Sequence, residues 1–535
     1  MFDTIIHNAR IVDGTMAPFF KGDLAIQGSK IAAIGDLQNA KAHRVIDAQG
    51  RVLCPGFIEI HGHSDATLLI NRLAESSVHQ GVTTECIGNC GASIFPVNSK
   101  NHDQVRNHFT SFLPDYDVRW STLTQLKAVY EDPGIAVNVV PLVGHNTIRT
   151  AVKGYSMEPA NPQEISEMVS LISQAMVEGA VGFSTGLEYP PGSAANTSEL
   201  IDLVKPVAEY GGLYSTHIRN RDLKYLQAVD EAIEIGRRTG AAIQISHNVA
   251  KIGAPESVMP KVLKAIEDAR RGGLNIAFDV GAYLGGQTTP LASLPPWAFD
   301  GGPQETLRRL ADPECRKKMK AYEYPIWRII KLNMWDNVRL ATSSKNAHLV
   351  GKTYAEIAQE QNKDPYDVLF DLLLEEGAGL FDLMWEGDIY EPENRDMVLK
   401  HRLASVCCDG STLAPYGPLA KGNYHHVYSW VPYLLRHHVR ERQLLTLEEA
   451  IYKVTGASAA RLGLVDRGVI KSGLAADLVI FDPDTVADRA TLQKPDLYPD
   501  GIHYVFINGQ LTVEGNMHTE TLAGKVILRS THRGN

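Results

Sequence analysis

Two histidines one residue apart close an apolar run early in the chain. The run reads Val52-Leu-Cys-Pro-Gly-Phe-Ile-Glu-Ile-His61-Gly-His63. Residues i and i+2 of a strand point to the same face, so both imidazoles can enter one cavity and share a cation. Taken alone, a His-x-His pair is equally compatible with a polar strand end. The pair is therefore a candidate metal site that requires further ligands elsewhere in the chain.

Four other predicted strands end in residue types that bind metals. The second strand runs into Cys90, the fifth ends in His217, the sixth in His247 and the eighth in Asp409. Five strand ends of this kind are difficult to explain by packing alone, since side chains at such ends point into an active site. Imidazole, thiolate and carboxylate together favour zinc over magnesium or calcium, which prefer oxygen ligands.

Apolar runs that alternate with amphipathic segments place these residues on a parallel sheet. The predicted strands are Leu53–Ile60, Thr84–Ile87, Val137–Val143, Ala180–Ser184, Leu213–Thr216, Ala242–Ser246, Asn275–Asp279 and Ala404–Cys408. The predicted helices between them include Gln163–Glu178, Glu199–Tyr210, Asp222–Thr239 and Pro260–Arg271. Eight such units predict an α/β fold, a closed (β/α)8 TIM-like barrel whose active site lies at the carboxyl ends of the strands.

The two chain ends share short alternating patterns bounded by glycine turns, which predict antiparallel strands. We expect residues 1–52 and 465–535 to pair as one small β-sandwich domain and residues 53–464 to form the barrel. A long insertion at residues 288–399 contains the amphipathic stretches Pro303–Ala311 and Tyr366–Glu376. It predicts a helical cap over the barrel top that excludes water from the site.

Composition limits the partners and the compartment. The 535 residues carry a net charge of −10 and show no basic cluster, so the sequence gives no support for nucleic-acid binding and favours small-molecule partners. The amino terminus lacks a signal-type segment, and the apolar runs are too short to span a membrane. Six scattered cysteines indicate reduced thiols. We expect a cytoplasmic protein without membrane contact; a homo-oligomer is compatible with these features.

Longer motifs resemble a known family. His-x-His at the first strand end, histidines at the fifth and sixth and aspartate at the eighth resemble the amidohydrolase superfamily. The segments Gly88-Asn-Cys90-Gly, Gly144-His-Asn-Thr-Ile-Arg149 and Gly182-Phe-Ser-Thr-Gly-Leu-Glu-Tyr189-Pro-Pro-Gly narrow the resemblance to the N-acyl-D-amino-acid deacylases, or D-aminoacylases, over nearly the whole chain.

The resemblance implies a ligand set. It implies that Cys90, His217 and His247 hold one tight zinc ion and that His61 and His63, with Asp409 adjacent, form a weaker second position. Many amidohydrolases use a modified lysine at the fourth strand end, where this chain has Phe183-Ser-Thr-Gly. The resemblance implies that Cys90 takes the place of that lysine.

Catalytic and substrate-binding roles follow from the chemistry of such a site. Asp409 is predicted to act as general base and acid, with a helix N-cap as the alternative. Tyr283, just past the seventh strand, is a candidate donor to the developing oxyanion, with a wall tyrosine as the alternative. The substrate carboxylate requires a cationic or hydroxyl partner, for which the candidates are Tyr189, Arg219 and Lys251.

These features predict zinc-dependent hydrolysis of the amide bond of N-acyl-D-amino acids. Dipeptides with a C-terminal D-residue present the same scissile bond and are a close variant. The preference for the D-enantiomer rests wholly on the resemblance. The alternatives are a cyclic amide hydrolase similar to dihydropyrimidinase, which the absent lysine disfavours, and a non-enzymatic scaffold, which the complete ligand set disfavours.

Overall fold

The strands were assigned in a computed structural model that describes residues 1–529. Numbered in chain order, they are β1 (Phe2–Ile11), β2 (Phe20–Gln27), β3 (Lys30–Gly35), β4 (Ala42–Asp47), β5 (Val52–Pro55), β6 (Phe57–Glu59), β7 (Val82–Ile87), β8 (Asn138–Gly144), β9 (Gly182–Gly186), β10 (Leu213–His217), β11 (Ala242–Ile245), β12 (Ile276–Gly281), β13 (Gly285–Thr288), β14 (Val338–Thr342), β15 (Met384–Asp388), β16 (Ala404–Cys407), β17 (Leu478–Phe481), β18 (Ile502–Ile507), β19 (Gln510–Glu514) and β20 (Met517–His518).

The α-helices follow the same numbering. They are α1 (Thr67–Ile70), α2 (Glu75–Val78), α3 (His102–Thr110), α4 (Leu123–Glu131), α5 (His145–Lys153), α6 (Pro162–Val177), α7 (Thr197–Glu209), α8 (Tyr225–Thr239), α9 (Val258–Arg271), α10 (Pro303–Ala311), α11 (Pro313–Lys320), α12 (Tyr354–Gln361), α13 (Pro365–Glu376), α14 (Pro392–Lys400), α15 (Trp430–Tyr433), α16 (Leu447–Val454) and α17 (Gly456–Leu462). A π-helical segment, Leu434–Glu441, continues α15.

Eight parallel strands form the predicted barrel. Their order is β6-β7-β8-β9-β10-β11-β12-β16. The ring closes where Gly62, after β6, bridges Gly410, after β16. All seven residues of β8 are buried, as expected for a parallel strand covered on both faces. The carboxyl ends of the eight strands therefore open on one side of the barrel.

The predicted barrel elements are confirmed, with one correction. Every predicted strand overlaps an observed one, and the four predicted helices are α6 to α9. The first predicted strand, Leu53–Ile60, is in fact two strands. β5 pairs with β1 and β17 outside the barrel, whereas β6 pairs with β7 inside it. The chain passes from one sheet to the other at Gly56, where a Cβ atom would lie 2.1 Å from Thr83 Oγ1.

The two chain ends form a separate β-unit, as predicted. Its nine strands are joined in one continuous sheet in the order β20-β19-β18-β17-β5-β1-β2-β3, with β4 paired to β1. The sheet encloses its own apolar cluster, to which both chain ends contribute. The exact limits of the domains at 52/53 and 464/465 stay a prediction.

The insertion between β12 and β16 forms the cap. Two predicted helices are present as α10 and α13, accompanied by α11 and α12. The cap is not wholly helical, because β13, β15 and β14 form a small antiparallel sheet within it. Two tryptophan rings, Trp327 and Trp385, stack at 4.9 Å in its core. The last strand of the cap, β15, leads directly to Tyr390 near the barrel opening.

Candidate metal centre

The six side chains predicted to bind metal meet at the carboxyl end of the barrel. They form two overlapping groups, and within each group the ligand atoms lie within 4.8 Å of one another. The groups are Cys90, His217 and His247, and His61, His63, Cys90 and Asp409. The shared member is Cys90, so its sulfur lies between two potential metal positions.

The first group fits a zinc ion. Zinc lies about 2.3 Å from a thiolate sulfur and about 2.0 Å from an imidazole nitrogen, so a tetrahedral ion holds such ligands roughly 3.6 Å apart. Cys90 Sγ lies 3.6 Å from His217 Nδ1 and 3.7 Å from His247 Nε2. Burial alone would raise the pKa of the Cys90 thiol. The adjacent histidines together have the larger effect and lower this pKa well below its ordinary value. The group therefore presents a thiol and two imidazoles, and both sulfur–nitrogen distances match the spacing that zinc requires.

Three of the six candidates occupy strained backbone. Cys90 has a φ angle of 50°, His247 of 35° and Asp409 of 61°. The left-handed region is unfavourable for residues with a Cβ atom and is concentrated at functional sites. In each case the strained residue follows a barrel strand, so the turn points its side chain back into the barrel opening.

The second group is more open to solvent. His63 Nε2 lies 3.1 Å from Asp409 Oδ1, and the Asp409 side chain is 31% exposed. Burial alone would raise the pKa of Asp409. His61 and His63 together have the larger effect and lower this pKa to about 2. The alternative role of Asp409 as a helix N-cap finds no support within residues 1–529, because the next helical turn begins at Pro418. The lowered pKa favours the ionised form of Asp409, which lies on the accessible side of the centre.

Glu188 contacts one predicted ligand, His217, on the side away from Cys90. Its Oε2 lies 2.6 Å from His217 Nε2, which leaves His217 Nδ1 directed at Cys90. Burial alone would raise the pKa of Glu188. Lys251 and His217 together have the larger effect and lower this pKa to about 2. A carboxylate behind a ligating histidine fixes its tautomer and increases its basicity. Glu188 was not among the predicted residues, although it stands within the motif that contains Tyr189.

Asp279 contacts two further predicted ligands, His247 and His61. Its Oδ1 accepts a hydrogen bond from the His247 backbone N–H at 2.6 Å and lies 3.4 Å from His61 Nδ1. Gln244 donates to the other carboxylate oxygen at 2.9 Å. Asp279 lies within β12, the seventh barrel strand. It was the last residue of the predicted strand Asn275–Asp279, and that position was the available signal for this role.

Two of the three predicted substrate-binding residues, Tyr189 and Lys251, contact His217 or the Glu188 carboxylate behind it. The Tyr189 ring packs edge-on against His217 at 4.8 Å, and its hydroxyl lies 2.9 Å from Thr288 Oγ1. Lys251 Nζ donates to Glu188 and to the Ile326 carbonyl. Arg219 has another environment, since it donates to Glu231 and to two carbonyls of the loop after β9. Their substrate-binding roles stay predictions.

Tyr283 lies beyond the ligands. Its hydroxyl lies 2.7 Å from Ser429 Oγ, and its ring stacks on His426 at 3.8 Å and on Tyr433 at 4.1 Å. Among residues 1–529, its hydroxyl hydrogen bond goes to Ser429 and not to a predicted ligand. The role of Tyr283 as an oxyanion donor stays a prediction that requires the hydroxyl to turn from Ser429.

The chain is similar to known proteins over its whole length. A family model described as "Amidohydrolase family" matches residues 409–513. The D-aminoacylase of Alcaligenes xylosoxydans xylosoxydans is 31% identical over 99% of this chain and 98% of the relative. The N-acyl-D-aspartate deacylase of the same organism is 33% identical over 98% and 95%. The chain belongs to the N-acyl-D-amino-acid deacylase family of amidohydrolases.

A solved structure of this deacylase family shares the fold. The N-acyl-D-glutamate deacylase from Bordetella bronchiseptica, complexed with zinc and a phosphonate inhibitor, superposes with a TM-score of 0.82 and 28% identity over 99% of this chain and 100% of that one. A D-hydantoinase superposes with a TM-score of only 0.57 at 14% identity, which shows the common barrel fold alone. The cyclic amide hydrolase alternative is thus the more distant one.

In residues 1–529, no helix combines the length and the apolar character needed to cross a lipid bilayer.

Proposed function

We propose that this protein hydrolyses the amide bond of N-acyl-D-amino acids and releases a carboxylate and a free D-amino acid. The observation that carries the proposal is the shared thiolate: Cys90 lies in both ligand groups of a complete deacylase-type site. Dipeptides that end in a D-residue present the same bond and belong to the same proposal. The relatives that cover nearly the whole chain are named for this chemistry.

The site residues have separate roles in the proposed hydrolysis. Cys90, His217 and His247 would hold the tight zinc ion, and His61, His63 and Asp409 would form the second position. A bound zinc ion polarises the amide carbonyl and makes a water molecule more acidic. Asp409, which is ionised near neutral pH, accepts the proton of the attacking water and returns it to the leaving amine. Its position on the exposed side of the ligands supports this assignment.

The first experiment measures primary-amine release from matched N-acetyl-D- and N-acetyl-L-amino acids. We expect turnover of the D-enantiomers by zinc-loaded protein and its loss after treatment with a chelator. Cys90→Ser should lower both zinc affinity and turnover by at least about 100-fold, since it removes a predicted ligand rather than a residue behind one. Cys315→Ser is the matched control, because Cys315 lies in the cap helix α11 and should leave both unchanged.

The opposite result would be hydrolysis of hydantoins or dihydropyrimidines without turnover of any N-acyl-D-amino acid. That outcome would reject the deacylase proposal and favour the cyclic amide alternative. Equal turnover of D- and L-substrates would reject the stereochemical part alone.

The proposal also includes the compartment. We assign the protein to the cytoplasm, where its free thiols remain reduced. All six cysteines lie within the described residues and are unpaired there, and four of them are buried. Detection of the activity in the soluble fraction of osmotically shocked cells, rather than in the shock fluid, is the expected result.

A further inference from the structure

Two of the three cations around the site have their donors engaged. Lys251 Nζ makes three contacts, at 2.9 Å and 2.6 Å to the two oxygens of Glu188 and at 2.5 Å to the Ile326 carbonyl. An ammonium group has three N–H donors, so none is left over. Arg219 uses Nε and Nη2 on Glu231 and its Nη groups on loop carbonyls. Neither cation offers an open edge to a ligand.

Arg221 differs from both. It is 3% exposed, and it lies in the loop between β10 and α8. Its Nη1 donates to the His247 carbonyl at 2.8 Å and to the Tyr390 hydroxyl at 2.6 Å. Its Nε is buried without a hydrogen-bond partner. Within residues 1–529, both hydrogen bonds of the guanidinium come from Nη1, so the edge formed by Nε and Nη2 makes no hydrogen bond and is open in that sense.

An open edge on a buried guanidinium is an unusual arrangement. A buried donor without a partner lowers the stability of the fold, so native proteins seldom leave one unpaired. The Nε–Nη2 edge presents two parallel N–H groups, whose spacing matches the two oxygens of a carboxylate. The Tyr390 hydroxyl and the His247 carbonyl hold the other side of the guanidinium in place, so the edge is oriented before any ligand arrives.

The location of this edge connects it to the reaction. The carbonyl that Arg221 binds belongs to His247, one of the predicted ligands, and the Lys251 N–H donates to the Arg221 carbonyl at 2.9 Å. Arg221 also favours the ionised form of Asp409. The N-acyl amino acids of the proposed function carry an α-carboxylate, and their acidic members carry a second carboxylate on the side chain. Both are chemically suited to this edge.

We propose that Arg221 binds a carboxylate group of the substrate through its Nε–Nη2 edge and thereby determines which amides enter the site. This inference rests on the proposed function and extends it to the recognition of the substrate. The cap takes part in it, because Tyr390 follows β15 and holds the guanidinium from the side opposite to the open edge.

The test is a double-mutant type of cycle, in which the Arg221 guanidinium and the substrate carboxylate are replaced separately and together. Wild-type protein and Arg221→Lys are compared on N-acetyl-D-leucine, its carboxamide and N-acetyl-D-glutamate, with zinc content measured for each preparation. Wild type should prefer the carboxylates over the carboxamide. Arg221→Lys should raise KM for the carboxylates by roughly 10-fold to 100-fold, because lysine keeps the positive charge but cannot form the bidentate pair, and should change KM for the carboxamide little.

The substrates distinguish the two carboxylates. A loss for both N-acetyl-D-leucine and N-acetyl-D-glutamate assigns the edge to the α-carboxylate, whereas a loss for N-acetyl-D-glutamate alone assigns it to the side chain. An equal loss for the carboxamide, or a fall in zinc content that accounts for the effect, would overturn the proposal and leave Arg221 as a support of His247.

A binding measurement separates this inference from the proposed function. The same three compounds are titrated into both proteins by calorimetry. A wild type that binds the carboxylates without turnover would reject the proposed function but still test Arg221. Unchanged affinity for all three compounds in Arg221→Lys would reject the role of Arg221. Arg221→Gln serves as the second variant if the lysine variant does not fold.

Discussion

Glu188 connects a histidine ligand to a buried cation. Glu188→Gln keeps the shape of the side chain but removes the charge that compensates Lys251 and orients His217. Leaving a buried charge without its partner is costly, and a residue behind a metal ligand typically contributes about 10-fold to 100-fold in affinity. We expect zinc affinity to fall by that amount, measured by competition with a chromophoric chelator.

A matched control exists elsewhere in the barrel. Glu267 contacts His401 Nε2 at 3.0 Å, and neither residue lies near the predicted ligands. Glu267→Gln should leave zinc affinity unchanged. If Glu188→Gln also binds zinc as tightly as the wild type, the role assigned to Glu188 is wrong.

At the residue scale, the sequence predicted which side chains meet at the barrel opening better than it predicted the residues that contact them from behind. His61, Cys90 and Asp409 stand out because each follows an apolar run in a position where packing does not require such a side chain. Glu188 and Arg221 are charged residues in loops, where most charged residues are solvated. Their burial depends on contacts with residues distant in sequence, such as Lys251 and Tyr390, which no local pattern reveals.

Among the elements, the cap depends on one aromatic pair. Trp385 on β15 is fully buried and stacks on Trp327 with an interplanar angle of 3°. Trp385→Ala should destabilise the cap by about 3–5 kcal/mol, the usual cost of emptying so large a buried volume. Amide hydrogen exchange should accelerate in α10 to α13 and not in the barrel strands. KM should rise as well, because Tyr390 follows the same strand.

Trp385→Phe is the control for this prediction. It retains an aromatic ring against Trp327 and should cost less. Equal acceleration of exchange in the cap and the barrel would show that the two unfold as one cooperative unit.

The elements also show where sequence patterns fail. The run from Val52 to Ile60 is apolar apart from Glu59, and its Pro55-Gly56 pair, a common turn signal, is the one local mark of the change of sheet at Gly56. The division depends on which partners the two halves meet, namely β17 for one and β7 for the other. The small sheet of the cap was missed for a related reason, since Gly285–Thr288 has no alternating pattern.

At the scale of the whole molecule, Glu75 joins the barrel to the segment between β17 and β18. Its carboxylate accepts hydrogen bonds from Tyr416 and from Tyr498, the latter at 2.7 Å, and contacts His79 at 3.1 Å. Burial alone would raise the pKa of Glu75. These three partners together have the larger effect and lower this pKa to about 2. The stability that Glu75 contributes is therefore complete above its unfolded pKa of about 4.3 and disappears as the pH falls towards 2.

Glu75→Gln tests this contribution. The variant should lose roughly 1–3 kcal/mol of unfolding free energy at pH 7, because hydrogen bonds to a charged acceptor become neutral ones. The difference from wild type should shrink between pH 4 and pH 2, as measured by urea unfolding. A difference that stays constant over this range would show that the carboxylate charge does not link the two parts.

The sheet built from both chain ends has a consequence for synthesis. β1 and β5 precede the whole barrel in the sequence. Nevertheless, β5 pairs with β17, which follows the last barrel strand. At roughly 5–20 residues per second, a ribosome needs on the order of tens of seconds to make the chain between them. During that time the outer edge of β5 stays unpaired and open to other strands. The nascent chain is therefore most exposed to misassociation before its last strands emerge, and completion of the terminal sheet must come late in folding.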